Sequence, residues 1–297
     1  MTATTTAARR RSAWTGWSAL LPYALLAPAL LVLLAVFLYP LLDGLRTSTE
    51  LYRFGRPIDS VGLQNYKDAL ADPEFRHALL VTLRFVALAV VLETALGLLL
   101  ALACVEQLRF VRSTRALLIL PMVLMPVVVG IVFRLLYASD VGLFTTVAGT
   151  PVQLLSEPGT AFLAVVAVDV WEWTPLMFLI LLAGLQSLPV EPLEAARVDG
   201  AGRWRTFFDH TLPMLRPILA IAVVLRTADA FTTFDQVFVL TRGGPGDATK
   251  LISLFGYETA FKFQQVGYAS AMLLMVGLLV VALVLLIVRT LRRQEAV

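Results

Sequence analysis

Two apolar stretches of the chain carry side chains that hydrocarbon does not accept alone. Within 214–240 stand Arg226, Asp229, Phe231, Phe234, Asp235 and Gln236. Near the start of 161–186 stand Asp169, Trp171, Glu172, Trp173 and Thr174, followed by Pro175. An ionised group near a bilayer centre costs roughly 2.5–3.5 kcal/mol on insertion scales, so it pairs with a partner or meets water. Acids and amides hydrogen-bond the hydroxyl edges of a polyol, and aromatic rings cover its C–H faces. These residues are therefore candidates for lining a hydrophilic path. A plainer account competes with that one. Arg226 and Asp229 lie at i, i+3 and can pair along a single helix, and Trp171 and Trp173 can face lipid while the acids pair with arginines elsewhere. Glu93 reads as a hydrogen-bond partner between helices rather than a solute ligand, and Arg134 as a side chain that snorkels or pairs.

Other chemistries lack their residues. There is no G-x-x-x-x-G-K-[ST], and the stretch Gly246, Asp247, Ala248, Thr249, Lys250 has neither the spacing nor the strand–helix context of a phosphate loop. No H-E-x-x-H or G-x-S-x-G occurs. The one cysteine, Cys104, and two distant histidines, His77 and His210, make no metal spacing. No catalytic residue, metal or cofactor is expected on this chain.

The elements that must position the charged residues follow from composition. Of 297 residues 59% are hydrophobic and 15% charged, with a mean hydropathy of +0.81, against about 45–50% and about 25% for soluble domains. A helix needs about 20 apolar residues to cross a bilayer, and six stretches qualify: 20–42, 79–104, 116–138, 161–186, 214–240 and 268–289. The expected fold is all-α, a polytopic membrane protein with six transmembrane helices. A domain over 20–290 lies between short tails at 1–19 and 291–297.

Orientation follows from the basic residues. Arg9, Arg10, Arg11, Arg109, Arg112, Arg115, Arg197, Arg203, Arg205, Arg216, Arg289, Arg292 and Arg293 mark one side. Fewer mark the other, in longer loops. Both termini and the 187–213 loop are thus expected in the cytoplasm. The net charge of +3 sits at helix ends, which suits lipid headgroups and not nucleic acid.

The 187–213 loop is longer than a plain connection needs, and its residues read as a helix–turn–helix. Ser187 can cap, and Pro189 and Pro192 fit a helix start. Glu191 and Glu194 suit the positive end of the dipole, and Gly200 and Gly202 stop the helix. Trp204, Phe207 and Phe208 then share a face at i, i+3, i+4, and Pro213 and Pro217 open the next span. Such a unit either lies on headgroups or docks a partner.

Glu194, Ala195, Ala196, then Asp199, Gly200, Ala201 and Phe207, closing on Leu212 and Pro213, resemble the EAA loop of permease subunits in ATP-binding-cassette importers. His210 departs from that pattern, where a branched apolar residue is usual. The segments 62–85, 226–241 and 241–245 resemble the sugar-permease branch serving maltose-, trehalose- and glycerol-phosphate-type importers. The resemblance implies the ABC importer permease fold, with a core over 79–290 carrying the loop at 187–213. It implies that Glu194, Ala195, Ala196, Asp199, Gly200, Ala201 and Phe207 dock an ATPase subunit. It implies the partners: a second permease in a heterodimer, two ATPase subunits that hold ATP and Mg, and an extracytoplasmic solute-binding protein. The place would be a bacterial plasma (inner) membrane and the cargo a carbohydrate, a di- or oligosaccharide or similar. The pathway candidates are then Asp169, Trp171, Glu172, Trp173, Arg226, Asp229, Phe234, Asp235 and Gln236. Two other classes compete. An ion-coupled secondary carrier would use Glu93, Asp169 and Asp229 as a relay, though no matching interrupted halves are visible. A membrane scaffold would tolerate neutralising the buried charges.

Overall fold

The computed structural model describes residues 16–105 and 118–293. The orientation residues Arg9, Arg10, Arg11, Arg109, Arg112 and Arg115 lie outside the described residues. Among the described residues five helices are long and apolar enough to cross a membrane, and a sixth, shorter apolar helix accompanies them.

Helix α1 runs over 16–47 as Gly16–Leu33 and Tyr39–Thr47, joined by a wide turn at Leu34–Leu38. There the Tyr39 N–H reaches five residues back to the Leu34 carbonyl, directly before Pro40. A proline has no N–H to give the ladder, and a widened turn absorbs the gap. The side chains of α1 from Leu21 through Leu45 stand largely exposed, as a lipid-facing helix requires. Its end is anchored: Ser48 and Asn65 are buried, and the Asn65 Nδ2 donates to the carbonyls of Ser48 at 2.8 Å and Glu50 at 3.0 Å. A hairpin of β1 (Glu50–Arg53) and β2 (Arg56–Ser60) follows. It is a small exception to the all-α expectation. Helix α2 (Gln64–Ala71) leads into α3 (Pro73–Val105), where the Asp72 carboxylate accepts the Glu74 N–H at 2.8 Å.

Helix α3 packs along α6 (Pro158–Ser187). In lipid there is no hydrophobic gain from pressing helices together, so small residues and close fit hold them. Gly97 shows the requirement: a Cβ there would lie 2.8 Å from the Met177 Cβ and 2.9 Å from the Phe178 nitrogen. Phe85, Val86, Ala89, Val165 and Val168 fill the core in one half of the bundle, and Ala101, Phe178, Leu181 and Leu215 fill it in the other.

Two expected spans are interrupted. Within 116–138, residues 118–123 are helical, 124–125 are not, and α4 (Pro126–Leu136) resumes at the proline. A short α5 (Leu143–Ala148) follows before α6. The expected 214–240 helix stops at Ala230 and restarts as α9 (Asp235–Leu240). The helix–turn–helix reading also needs correction at its second half. Beyond α7 (Glu191–Val198), one helix, α8, runs through Arg203–Thr206, a wide turn at Phe207–Thr211, and Leu212–Ala230. Pro213 and Pro217 lie inside it. The Leu212 N–H again reaches five residues back, to Phe207, just before Pro213. The chain closes with α10 (Ile252–Tyr257) and α11 (Val266–Arg293).

Candidate functional site

Two groups of candidate residues sit at opposite ends of α8. At the end near Arg203, α7 carries Glu191 and Glu194 in its first turn and Arg197 in its last, the charge order a helix dipole favours. It ends on Asp199, with Gly200 at φ +78°. The Ala201 N–H bonds the Ala196 carbonyl at 2.9 Å and the Gly200 N–H bonds the Arg197 carbonyl at 3.1 Å. These are the two bonds of a Schellman stop, which places glycine in the left-handed position. The glycine of the Asp-Gly-Ala run is thereby explained by backbone geometry.

The alternation within this elbow is equally definite. Ala196 is buried, while Glu194, Ala195 and Asp199 face outward, and Ala201 and Phe207 are half-buried. Val198 is 87% exposed and Trp204 78%. The Trp204 and Phe208 rings stack at 6.1 Å. Such apolar surface on a charged tip requires a covering partner or headgroups.

At the other end the charges turn inward. Arg226 is fully buried on the last turns of α8. Its Nε donates to Glu93 Oε2 at 2.6 Å and its Nη2 to Glu93 Oε1 at 3.1 Å, a fork across from α3. Nη2 also donates to Asp169 Oδ2 of α6, and Nη1 to Asp229 Oδ2 at 2.8 Å. The guanidinium lies 5.3 Å from the Trp173 ring centre. Gln236 of α9 donates to the buried Glu172. Asp169 Oδ1, Thr174 Oγ1 and Gln236 Oε1 are buried with no partner among the described residues. Unpaired acceptors of this kind are sites for bound water.

Above this network both interruptions open on one concavity of about 150 Å³, lined by Pro126, Trp173, Asp229, Thr232, Thr233, Phe234, Asp235 and Gln236. The broken backbone at 231–234 is satisfied locally: the Thr232 hydroxyl donates to the Asp229 carbonyl at 2.7 Å and Ser253 donates to the Thr233 carbonyl. Non-helical backbone at membrane depth is tolerated where it lines a cavity or is buried in protein.

The pathway candidates therefore divide. Asp229 and Asp235 are exposed, and Trp173 and Phe234 half-buried, at the cavity. Gln236 belongs to its wall and its buried floor. Asp169, Glu172 and Arg226 are buried beneath it and bond to protein. Trp171 is exposed on another face, edge-on to Phe133 at 5.1 Å. Glu93 is the interhelical partner its sequence context implies, and Arg134 donates to the Val239 carbonyl at 3.1 Å. Pro126, Thr232 and Thr233 were not among the candidates. Two aromatics flanking a Thr-Thr pair were the available signal.

Residues 93–295 match the family described as binding-protein-dependent transport system inner membrane component. A trehalose/maltose transport system permease protein, MalF, of Thermococcus litoralis is 38% identical over 269 residues, covering 88% of this chain and 90% of that one. A probable ABC transporter permease protein of Sinorhizobium fredii is 40% identical over 251 residues, 82% of this chain and 81% of the relative. Among solved structures, a bacterial ABC transporter involved in alginate import superposes with a TM-score of 0.80 at 22% identity, covering 93% of this chain and 98% of that one. That likeness extends to the fold.

Proposed function

The chain belongs to the binding-protein-dependent transport system inner membrane component family, a multi-pass transport subunit, and from that premise we propose that it imports a carbohydrate, turning ATP hydrolysis on partner subunits into movement of its cavity. The observation that carries this reading is the continuity of α8. The helix from Arg203 to Ala230 has 28 residues, a rod of about 42 Å at 1.5 Å per residue. The elbow stands at one end and the cavity at the other.

In this reading the elbow is cytoplasmic, and so are both termini. Its outward face of Glu194, Ala195, Asp199 and Trp204 docks an ATPase subunit, while Ala196 and the Gly200 turn hold that face in place. ATP and Mg belong to two such subunits. A second permease completes the cavity, and a solute-binding protein loads it from outside. Asp229 and Asp235 accept solute hydroxyls, Thr232 and Thr233 add hydroxyl partners, and Trp173 and Phe234 present ring faces. The names of the trehalose and maltose relatives support a sugar as cargo.

The test is Glu194→Lys in the co-expressed transporter. The variant is expected to fold, because Glu194 is exposed, and to recover several-fold less ATPase subunit on purification. Wild-type recovery together with wild-type solute-stimulated ATP hydrolysis would defeat the docking assignment.

A further inference from the structure

The buried network has more acid than pairing requires. A single carboxylate would neutralise Arg226, yet Glu93, Asp169 and Asp229 all bond it. Each further buried charge adds a desolvation cost that attraction to one guanidinium offsets only with good geometry. Among the described residues Arg226 is also the one buried cation. Its five N–H donors form a rigid planar fork, and here the fork ties α8 to two other helices at once. Glu93 holds it from α3, Asp169 from α6, and Asp229 extends the same α8 toward the cavity.

Two groups on the cavity wall depend on that fork. The Asp229 carboxylate is 46% exposed and is held by Nη1. The Trp173 ring has the guanidinium carbon 5.3 Å from its centre. Both line the cavity, while Arg226 itself is absent from its lining.

We propose that Arg226 is a positioning residue for transport. It clamps the cavity end of α8 to α3 and α6 through Glu93 and Asp169, and so sets where Asp229 and Trp173 stand when the elbow moves. It does not touch the solute. This inference rests on the reading of the cavity as the solute path. A lysine at 226 keeps the charge but presents a point donor on a flexible stem, which cannot hold three carboxylates in one plane. Misplacement by about 1 Å can cost on the order of 10²-fold in a positioned reaction.

The test needs no knowledge of the cargo. In the whole transporter with Cys104→Ala, Thr232→Cys places a thiol in the cavity wall, and its labelling by a charged methanethiosulfonate is timed with and without vanadate-trapped ATP. The unaltered network is expected to show a several-fold change in labelling rate on trapping. Arg226→Lys and, separately, Glu93→Gln are expected to purify with their ATPase subunits and to lose that response. A response kept at wild-type size in an assembled variant overturns the inference. So does failure of both variants to assemble, which would make the network a folding element only. If only one assembles, its labelling decides. Absence of any response in the unaltered network marks failure of the cavity reading instead, and Arg226 then positions nothing that moves.

Discussion

The elbow and the buried network use the same residue types to opposite ends. Both contain arginine, acids and a tryptophan. At the elbow Trp204 and Val198 are exposed, Glu191 and Glu194 sit where a helix dipole favours them, and the shape comes from bonds between residues at most five apart. Beneath the cavity, Arg226 bonds Glu93 across 133 residues and Asp169 across 57. Local geometry builds an exposed surface of apolar and charged side chains. Long-range pairing builds a fixed point inside this one. Charge in a membrane protein takes its role from exposure and from the sequence separation of its partners, not from residue type alone.

The comparison is broken most severely at the network. Arg226→Met leaves Glu93 and Asp169 buried without their cation, a change costing about 3–5 kcal/mol. Little folded protein is expected in detergent extracts, read by size-exclusion yield, whereas any single charge change at the elbow should leave the yield intact. Gly200→Val is next. It forces a branched side chain into the left-handed position at φ +78°, at about 1–2 kcal/mol. The cost falls on α7 alone, so melting of the whole protein should shift little while recovery of the ATPase subunit drops. The smallest effect on stability belongs to Trp204→Ala, within about 0.5 kcal/mol for an exposed site. If this variant binds the ATPase subunit as the wild type does, the exposed ring serves the headgroups and the docking face shrinks to Glu194, Ala195 and Asp199.

The same division explains what was legible in the sequence. The elbow could be read directly, since glutamates, a left-handed glycine and the Trp204–Phe208 spacing act within one or two helical turns. The apolar spans were legible from length. The interruption at 231–234 was not, because Phe231, Thr232, Thr233 and Phe234 include no proline or glycine. That break stands because Ser253, on another element, takes the carbonyl of Thr233. The straight passage from Arg203 to Ala230 was hidden for the converse reason. Pro213 and Pro217 are helix stops by local rules, and the wide turn at Phe207–Thr211 carries the helix past them. Burial of Arg226 with three acids required knowing that α3, α6 and α8 meet. The β1–β2 hairpin was missed in a stretch, 50–60, whose charged and polar residues carry no clean alternation.

In the proposed reading, elbow and cavity are two ends of one rigid helix. Spin labels at Arg205→Cys and Leu225→Cys, both exposed positions on α8, in a Cys104→Ala background would report it through their separation, about 30 Å for 20 residues of helix. The same distance is expected in nucleotide-free and vanadate-trapped transporter, while Thr232→Cys in the cavity changes its reactivity between the two states. A distance that changes by about a helical turn, 5.4 Å, would show that α8 bends at Phe207–Thr211 or Pro217 and is no rigid rod.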